Sequence, residues 1–285
     1  MIAHTVTLKD GTRVPALGQG TWYLGDHADT RAREIEALRL GIDRGMTLID
    51  TAEMYGSGRS ESLVGEAIRG LDRDSLFLVS KVLPQNAGDR GLARSCQATL
   101  KRLGTDHLDL YLLHWRGSIP FEETIDGMER LVAQGKIRRW GVSNLDIDDM
   151  QELLEEARGT HCVVDQVLYH AASRGIEYSL KPWLTRQGIA LMAYCPLAQA
   201  GQLQRGLMTD PVLSQIAQAH GCTVAQVLLA WCIRDGHTIA IPRSSRPEHT
   251  LMNADADSVA LTPEDLRAID RRFAPPTRKE YLDIQ

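Results

Sequence analysis

Short apolar runs alternate with amphipathic helical segments along nearly the whole chain, and this alternation constrains the fold more than any other feature. Each run reads as a buried strand, and each following segment places apolar residues at helical spacing, as Ile35, Leu38 and Ile42 do. Parallel neighbouring strands need helical crossovers, and eight such units favour closure over an open sheet. The pattern therefore predicts an α/β protein with a (β/α)8 TIM barrel.

The predicted elements follow one another without a composition break, so residues 1–285 are interpreted as a single domain. Strands are predicted at 18–22, 47–50, 76–81, 108–114, 139–144, 163–167, 189–194 and 237–241. Helices are predicted at 30–44, 60–69, 88–103, 121–134, 146–156, 178–187, 211–234 (in two pieces split at Gly221) and 247–253. Asp10-Gly11 between two alternating runs predicts an N-terminal β-hairpin cap. Thr262-Pro263-Glu264 predicts an extra C-terminal helix.

Composition narrows the class of protein. The 285 residues are 43% hydrophobic and 24% charged, with a net charge of −5 and no basic block. This balance argues against nucleic acid or an anionic membrane as the main partner. No apolar run approaches the ~20 residues of a membrane span, and the first residues carry no signal pattern. Five scattered cysteines predict neither a disulfide framework nor a metal site, so a cytoplasmic protein without metal is expected. Nothing in the sequence suggests a large apolar patch, so a monomer is expected.

Four titratable side chains come at or just beyond the ends of three consecutive predicted strands: Asp50, Tyr55, Lys81 and His114. The C-terminal strand ends of such a barrel face the active site. Hydride attack on a carbonyl develops an alkoxide, which needs a proton and an electrostatic partner. A free tyrosine, with a pKa of about 10, is a poor acid unless a nearby ammonium lowers that value. Lys81 is expected to supply this charge, with Asp50 holding it in place and His114 hydrogen-bonding the carbonyl oxygen or sharing the proton.

Each of these residues also has a structural interpretation. Asp50 can cap a loop, Tyr55 can sit between core and water, and a lone His114 is typical of a satisfied core histidine. Lys81 at the end of an apolar strand needs a partner, but it also suits Schiff-base chemistry. The joint pattern favours function, because each residue falls at the same end of its own strand.

Several motifs resemble those of the aldo-keto reductase family. They are Asp50-Thr51-Ala52-x-x-Tyr55-Gly56, Ser80-Lys81, Tyr111-Leu112-Leu113-His114-Trp115, Gly135-Lys136-Ile137-Arg138-x-x-Gly141-Val142-Ser143-Asn144, Gln166-x-x-Tyr169-His170 and Ile241-Pro242-x-Ser244. The resemblance runs from about Gly18 to Asn253. The segments 18–23 and 194–201 are most similar to those of bacterial members that reduce methylglyoxal and other small aldehydes.

The resemblance implies a catalytic tetrad of Asp50, Tyr55, Lys81 and His114, with Tyr55 as the acid. It implies NADPH-dependent reduction of aldehydes and ketones to alcohols, with 2-oxoaldehydes such as methylglyoxal and aromatic and short aliphatic aldehydes as substrates. It also implies that NADPH binds without a Rossmann fold. The chain has no intact G-x-G-x-x-G motif, since the stretch 56–61 fails at its sixth place.

The family pattern also assigns binding roles. Ser143, Asn144 and Gln166 would hold the carboxamide, and Tyr194 would stack on the nicotinamide. Leu197 and nearby backbone would line the pyrophosphate, while Arg243 and Ser244 would meet the 2′-phosphate and Asn253 the adenine. The full set of predicted cofactor contacts is Gly20, Thr21, Trp22, Asp50, Ser143, Asn144, Gln166, Tyr194, Pro196, Leu197, Ala198, Ile241, Arg243, Ser244, Ser245, His249 and Asn253. The predicted substrate contacts are Trp22, Tyr23, Met54, Tyr55, His114 and Trp115, an apolar-walled mouth that suits short aldehydes.

Three positions depart from the family pattern. Arg243 stands where lysine is usual, His249 where arginine is usual, and Met252 where an acid is usual. Arg243 keeps the charge and can bind a phosphate through two donors. Ser245 and Arg246 are placed to compensate for His249. NADPH is therefore the expected cofactor, with NADH use also open.

Two other functions remain open on the sequence alone. The same barrel can serve as a dinucleotide-binding sensor with little turnover, and Lys81 can serve a Schiff-base lyase. The complete tetrad together with the cofactor residues favours the reductase. The physiological substrate stays open, because loops decide it on a permissive barrel.

Overall fold

The computed structural model describes residues 2–198 and 206–284. At its N-terminus, β1 (Thr5–Thr7) and β2 (Arg13–Pro15) pair antiparallel, which confirms the predicted hairpin. Arg139 holds the hairpin against the barrel, donating to the Asp10 carboxylate at 2.8 Å and to the Thr12 hydroxyl at 3.0 Å. Arg139 directly precedes a barrel strand, so the hairpin covers the end of the barrel where strands begin.

Eight parallel strands form the barrel wall. They are β3 (Gln19–Gly20), β4 (Leu48–Asp50), β5 (Phe77–Val82), β6 (Leu110–Leu113), β7 (Trp140–Ser143), β8 (Val164–Leu168), β9 (Ala190–Tyr194) and β10 (Thr238–Ala240). Each strand pairs with the next in chain order. The parallel order follows from the helical crossover that separates each strand from the next.

The barrel closes where the first strand meets the last. The Gly18 amide donates to the Ala240 carbonyl at 2.9 Å, and the Gly20 amide donates to the Pro242 carbonyl at 3.1 Å. A Cβ at Gly20 would lie 2.7 Å from the Ile241 carbonyl oxygen, so this close approach of two strands requires glycine. These bonds, with eight strands in sequential order, confirm the predicted (β/α)8 barrel.

Helices alternate with the strands and cover the outside of the barrel. They are α1 (Arg31–Asp43), α2 (Arg59–Ala67), α3 (Asp89–Leu103), α4 (Phe121–Ala133), α5 (Ile147–Glu155), α6 (Leu180–Gln187), α7 (Pro211–Ala219), α8 (Val224–Ile233), α9 (Pro247–Asp255) and α10 (Pro263–Arg272). In α3 the apolar positions Leu92, Cys96, Leu100 and Leu103 are all buried, as their spacing predicts.

The predicted helices are confirmed, with differences at their ends. Helix α6 begins two residues later than predicted, because the chain first makes a 3-10 turn at Gly175–Glu177 and Ser179 is not helical. The break between α7 and α8 contains Gly221, whose φ of 62° ends the first helix. Helix α10 begins with a capping box in which Thr262 and Asp265 exchange hydrogen bonds.

Side chains alternate between the barrel interior and the helix layer along each strand. On β8, Gln166 faces the interior, where it bonds to Asp50 on β4. The neighbouring residue Asp165 therefore points outward, and it is fully buried beneath the helices. In the described part of the chain, neither of its carboxylate oxygens accepts a hydrogen bond of normal geometry, and a weaker backbone contact with Leu145 offsets its burial only in part.

Among residues 2–198 and 206–284, no single helix is long and apolar enough to cross a membrane. The pair α7 and α8 meets that length and composition only when taken together, across a bend of 89°. The same residues contain no cluster of three or more potential metal ligands.

The isolated carboxyl group of Asp165 predicts an unusual pH dependence of stability. Burial raises its pKa well above the usual range, so the folded protein holds a proton that the unfolded chain releases above about pH 3.9. Stability is therefore lost as pH rises through and beyond that value. We expect Asp165→Asn to increase the free energy of unfolding by about 1–3 kcal/mol near pH 8, and much less near pH 4, in urea denaturation at several pH values.

Asp210→Asn provides the contrast for this prediction. Asp210 is equally buried, but it accepts hydrogen bonds from the amides of Val212 and Leu213 and pairs with Arg272. Its replacement should lower stability at neutral pH. If Asp165→Asn destabilises the protein at every pH between 4 and 8, the buried carboxyl group of Asp165 does not lower the stability of the folded protein.

Candidate functional site

Lys81 lies inside the barrel near the C-terminal end of β5, completely excluded from solvent. Its ammonium group is 2.8 Å from the Asp50 carboxylate, 2.9 Å from the Thr51 carbonyl oxygen and 3.1 Å from the Tyr55 hydroxyl. A buried ammonium needs such partners to offset its lost hydration. Because all three of its donors are engaged, the amine is poorly placed for nucleophilic attack.

Tyr55 reaches Lys81 because the backbone turns sharply just after it. Gly56, Ser57 and Gly58 have φ values of 55°, 54° and 87°, three successive residues in the left-handed region. Glycine adopts this region without steric cost, whereas Ser57 does so at a cost. The turn directs the phenol back toward the barrel axis, and α2 starts directly after it.

His114 follows β6 and lies beside Tyr55. The two rings meet edge to face with centroids 5.8 Å apart. Burial, with a contribution from the charge of Lys81, lowers the pKa of His114 to about 2. The imidazole is therefore neutral and can donate one hydrogen bond, but it does not act as a cationic acid. Its Nδ1 is buried and unpartnered among the described residues, so His114 is not a satisfied core histidine.

The expected effect of Lys81 on Tyr55 is wrong for this structure. Burial raises the pKa of Tyr55 well above 10, and the nearby charge of Asp50 raises it further. Burial also lowers the pKa of Lys81, although Asp50 opposes that change. With its pKa raised in this way, Tyr55 keeps its proton. The site thus holds a protonated phenol next to a cation.

A chain of hydrogen bonds connects this cluster to the amide side chains on the next strands. The side-chain amide of Gln166 donates to Asp50 at 2.8 Å, and the Ser143 hydroxyl donates to the backbone carbonyl oxygen of Gln166 at 2.7 Å. The Asn144 amide donates to the Ser143 hydroxyl at 3.1 Å, and the Tyr194 hydroxyl donates to Asn144 at 2.8 Å. Asn144 adopts a φ of 59° at the strand end. Of the predicted carboxamide-binding residues, Gln166 is therefore held directly by the Asp50 that also holds Lys81, and Ser143 and Asn144 are linked to Gln166 through its backbone.

A cavity of about 480 Å³ opens above these residues. Seventeen of the predicted site residues line it: Gly20, Thr21, Trp22, Tyr23, Asp50, Met54, Tyr55, His114, Ser143, Asn144, Gln166, Tyr194, Pro196, Leu197, Ala198, Ile241 and Arg243. Lys81 lies beneath them. Cys195 and Pro242 also line the cavity, and sequence reasoning did not place them there. Both directly follow a residue at a strand end, a signal that would have found them.

Five predicted contacts do not line this cavity: Trp115, Ser244, Ser245, His249 and Asn253. Trp115 instead packs against the ring of His114, with centroids 4.8 Å apart, and is partly exposed. The other four lie on the loop after β10 and on α9. There the Ser244 hydroxyl donates to the Arg246 carbonyl oxygen at 2.9 Å.

Arg243 places a positive charge at the edge of the cavity. Its Nε donates to the Trp22 carbonyl oxygen at 3.2 Å, which leaves most of the guanidinium donors for another acceptor. In the described part of the chain, the carboxylates of Asp26 and Glu34 act on it through space. Asp26 is already paired with Arg59, and Glu34 accepts bonds from Gly25 and Thr30. The edge of the cavity can thus attract an anion.

Comparisons with known proteins agree with this geometry. The model of the Aldo/keto reductase family matches residues 16–272. The methylglyoxal reductase YeaE of Escherichia coli is 54% identical over 271 residues, which cover 95% of each chain. The glyoxal reductase of Bacillus subtilis is 35% identical over 271 residues, 94% of this chain and 92% of the relative.

Solved structures agree as well. An aldo/keto reductase from Klebsiella pneumoniae, crystallised with NADP and acetate, has a TM-score of 0.97 and 54% sequence identity. A second structure of an aldo-keto reductase from that organism, in complex with NADPH, has a TM-score of 0.96. In both comparisons the match covers 100% of each chain. With the tetrad geometry, the barrel and these matches in agreement, the chain belongs to the aldo/keto reductase family and is an NADPH-dependent oxidoreductase.

Proposed function

We propose that this enzyme reduces aldehydes to alcohols with Tyr55 as the general acid. Its proposed substrates are 2-oxoaldehydes such as methylglyoxal, together with aromatic and short aliphatic aldehydes. The single observation that carries the proposal is the 3.1 Å contact between Lys81 Nζ and the Tyr55 hydroxyl at the base of the cavity. Two bacterial relatives, a methylglyoxal reductase and a glyoxal reductase, support the substrate class.

The residues around the cavity fit NADPH. Amide and hydroxyl groups of Ser143, Asn144 and Gln166 are suited to hold a carboxamide, and the Tyr194 ring to stack on a nicotinamide. Pro196, Leu197 and Ala198 are proposed to lie along the pyrophosphate. When bound, NADPH supplies a hydride to the substrate carbonyl carbon.

The outer part of the cofactor site is proposed around the loop after β10. Arg243 is assigned to the 2′-phosphate, because a guanidinium binds phosphate through two parallel donors. Ser244, Ser245 and His249 lie on the same loop and the first turn of α9, and Asn253 on that helix is assigned to the adenine. Arg243 favours NADPH over NADH by its charge.

Each member of the tetrad then has a defined task. The Tyr55 hydroxyl gives its proton to the alkoxide oxygen as the carbon receives the hydride, so the product is a neutral alcohol. Lys81, 3.1 Å away, stabilises the phenolate that remains. Asp50 holds Lys81 at 2.8 Å, and neutral His114 donates a hydrogen bond to the substrate oxygen.

The mouth of the cavity supports small substrates. Trp22 and Tyr23 stack with ring centroids 4.6 Å apart, and Met54 completes an apolar wall. Trp115 stabilises this wall indirectly, by packing on His114. The proposal includes a single-domain, monomeric and cytoplasmic enzyme, in keeping with a net charge of −5 and an apolar surface that is scattered apart from this mouth.

Replacing Tyr55 by phenylalanine tests the acid assignment. The variant keeps the ring but loses the proton donor, so NADPH oxidation with methylglyoxal or an aromatic aldehyde should fall at least about 100-fold. Binding of NADPH, measured by fluorescence titration, should stay within twofold of the wild-type value. Near-full activity in Tyr55→Phe would show that another group donates the proton. Tight NADPH binding by the wild type, with negligible turnover across an aldehyde panel, would instead favour a sensor.

Replacing Arg243 by methionine tests the cofactor assignment. The variant removes a charge-assisted hydrogen bond to the 2′-phosphate, worth about 1.5–3 kcal/mol. We expect the Kd for NADPH to rise roughly 10- to 100-fold and the Kd for NADH to change by less than about threefold. Arg267→Met is the control: Arg267 is exposed on α10, outside the loop and the residues assigned to the cofactor, so neither Kd should change. If Arg243→Met weakens the binding of NADPH and NADH equally, Arg243 does not bind the 2′-phosphate.

A further inference from the structure

A second buried carboxylate lies on the other side of the strand that carries Lys81. Glu61, on the first turn of α2, is completely excluded from solvent. The Ser80 hydroxyl donates to one of its oxygens at 2.6 Å, and Arg102 Nε donates to the other at 2.5 Å. Ser80 directly precedes Lys81 on β5, so Glu61 is hydrogen-bonded to the side chain of the residue next to Lys81.

The residue before Glu61 extends the same contact to two more strands. The Ser60 hydroxyl is 2.9 Å from the Thr21 carbonyl oxygen, and it accepts a hydrogen bond from the Thr51 hydroxyl at 3.2 Å. The Thr51 carbonyl oxygen is itself an acceptor for Lys81. The start of α2 is therefore hydrogen-bonded to β5 and to the residues that follow β3 and β4.

Arg102 connects this group to the turn that positions Tyr55. A Cβ on Gly58 would lie 2.5 Å from Arg102 Cδ, so the arginine side chain packs directly against the end of that turn. Arg102 is about a quarter exposed, whereas Glu61 is fully buried. The glutamate thus fixes the arginine, and the arginine limits how far the turn can move.

We propose that Glu61 is a positioning residue for the reduction. Through Ser80 it fixes the strand of Lys81, and through Arg102 it fixes the turn of Tyr55, so it sets the distance between the ammonium and the phenol. The inference rests on the proposed function for its catalytic consequence. Glu61 touches neither the cavity nor the reacting atoms.

The charge of Glu61 has a separate effect. It raises the pKa of Lys81, together with Asp50 and against the effect of burial. Asp50, Tyr55 and His114 face Lys81 from the cavity side. On the helix side, the titratable groups near Glu61 are Arg102 and Cys96 on α3 and Tyr111 on β6. The charge of Glu53 also acts on Tyr111. Loss of the Glu61 charge should therefore let Lys81 lose its proton at a lower pH.

Glu61→Gln tests the proposal against a matched control, Asp109→Asn. Asp109 accepts from Arg73 at 2.7 Å and from the Leu78 amide of the same strand at 2.9 Å, at the opposite end of β5. Both variants lose one carboxylate of a buried or nearly buried ion pair, so both should lower Tm. Only Glu61→Gln should lower kcat, by roughly tenfold or more, since small misplacements of catalytic groups are costly.

Two further readouts separate positioning from general damage. In Glu61→Gln, KM for the aldehyde and Kd for NADPH should stay within about threefold, and the alkaline limb of the kcat profile should move to lower pH. In Asp109→Asn the limb should not move. Glu61→Asp retains the charge, so it should restore the position of the limb while its shorter reach keeps kcat low.

Two outcomes would overturn the proposal. One is a wild-type kcat with an unmoved alkaline limb of the pH profile in Glu61→Gln, and the other is an equal fall of kcat in Asp109→Asn. If Glu61→Gln does not fold, Ser80→Ala tests the same link and should also lower kcat. If the wild type itself shows no turnover, the proposed function fails. Crystal structures then test the positioning role by itself: the distance from Lys81 Nζ to the Tyr55 hydroxyl should be longer in Glu61→Gln and in Ser80→Ala than in the wild type.

Discussion

The ion pair between Lys81 and Asp50 lies inside the barrel, where both side chains are almost fully excluded from water. Two charges buried in this way are costly unless each is surrounded by partners. The Thr51 carbonyl and the Tyr55 hydroxyl complete the shell of the ammonium, and the Gln166 amide completes that of the carboxylate. The need to satisfy this pair brings the Tyr55 phenol, the Lys81 ammonium and the Gln166 amide together at one end of the barrel.

The sequence predicts the architecture well because the relevant signals are local and repeated. Apolar runs, helical spacing and glycine breaks define eight units, and strand ends such as Asp50 and Lys81 then have to meet. The hairpin at Asp10-Gly11 and the capped helix at Thr262 are equally local. Seventeen of the predicted contacts line the cavity, but most of them were implied by the resemblance to the family rather than by these local signals.

The properties that the sequence does not predict depend on distances between residues far apart in the chain and on burial from water. The pKa of Tyr55 rises rather than falls, because burial and the nearby charge of Asp50 both raise it, and these effects exist only in the folded barrel. Trp115 follows a strand end but turns to pack on His114 instead of the cavity. The role of Glu61 is also invisible in the sequence, since only the fold places α2 behind Ser80.

Barrel closure rests on a very short strand. β3 contains two residues. The backbone bonds that close the barrel around it run from Gly18 and Gly20 to the carbonyl groups of Ala240 and Pro242, and from the Ala240 amide to the Ala16 carbonyl. Few hydrogen bonds protect this seam, so its amides should exchange with solvent deuterium sooner than those of the central strands. The residues just past the seam, Thr21 and Trp22 on one side and Arg243 on the other, all line the cavity. Local opening at the seam would therefore move one wall of the cavity and leave the strand that carries Lys81 in place.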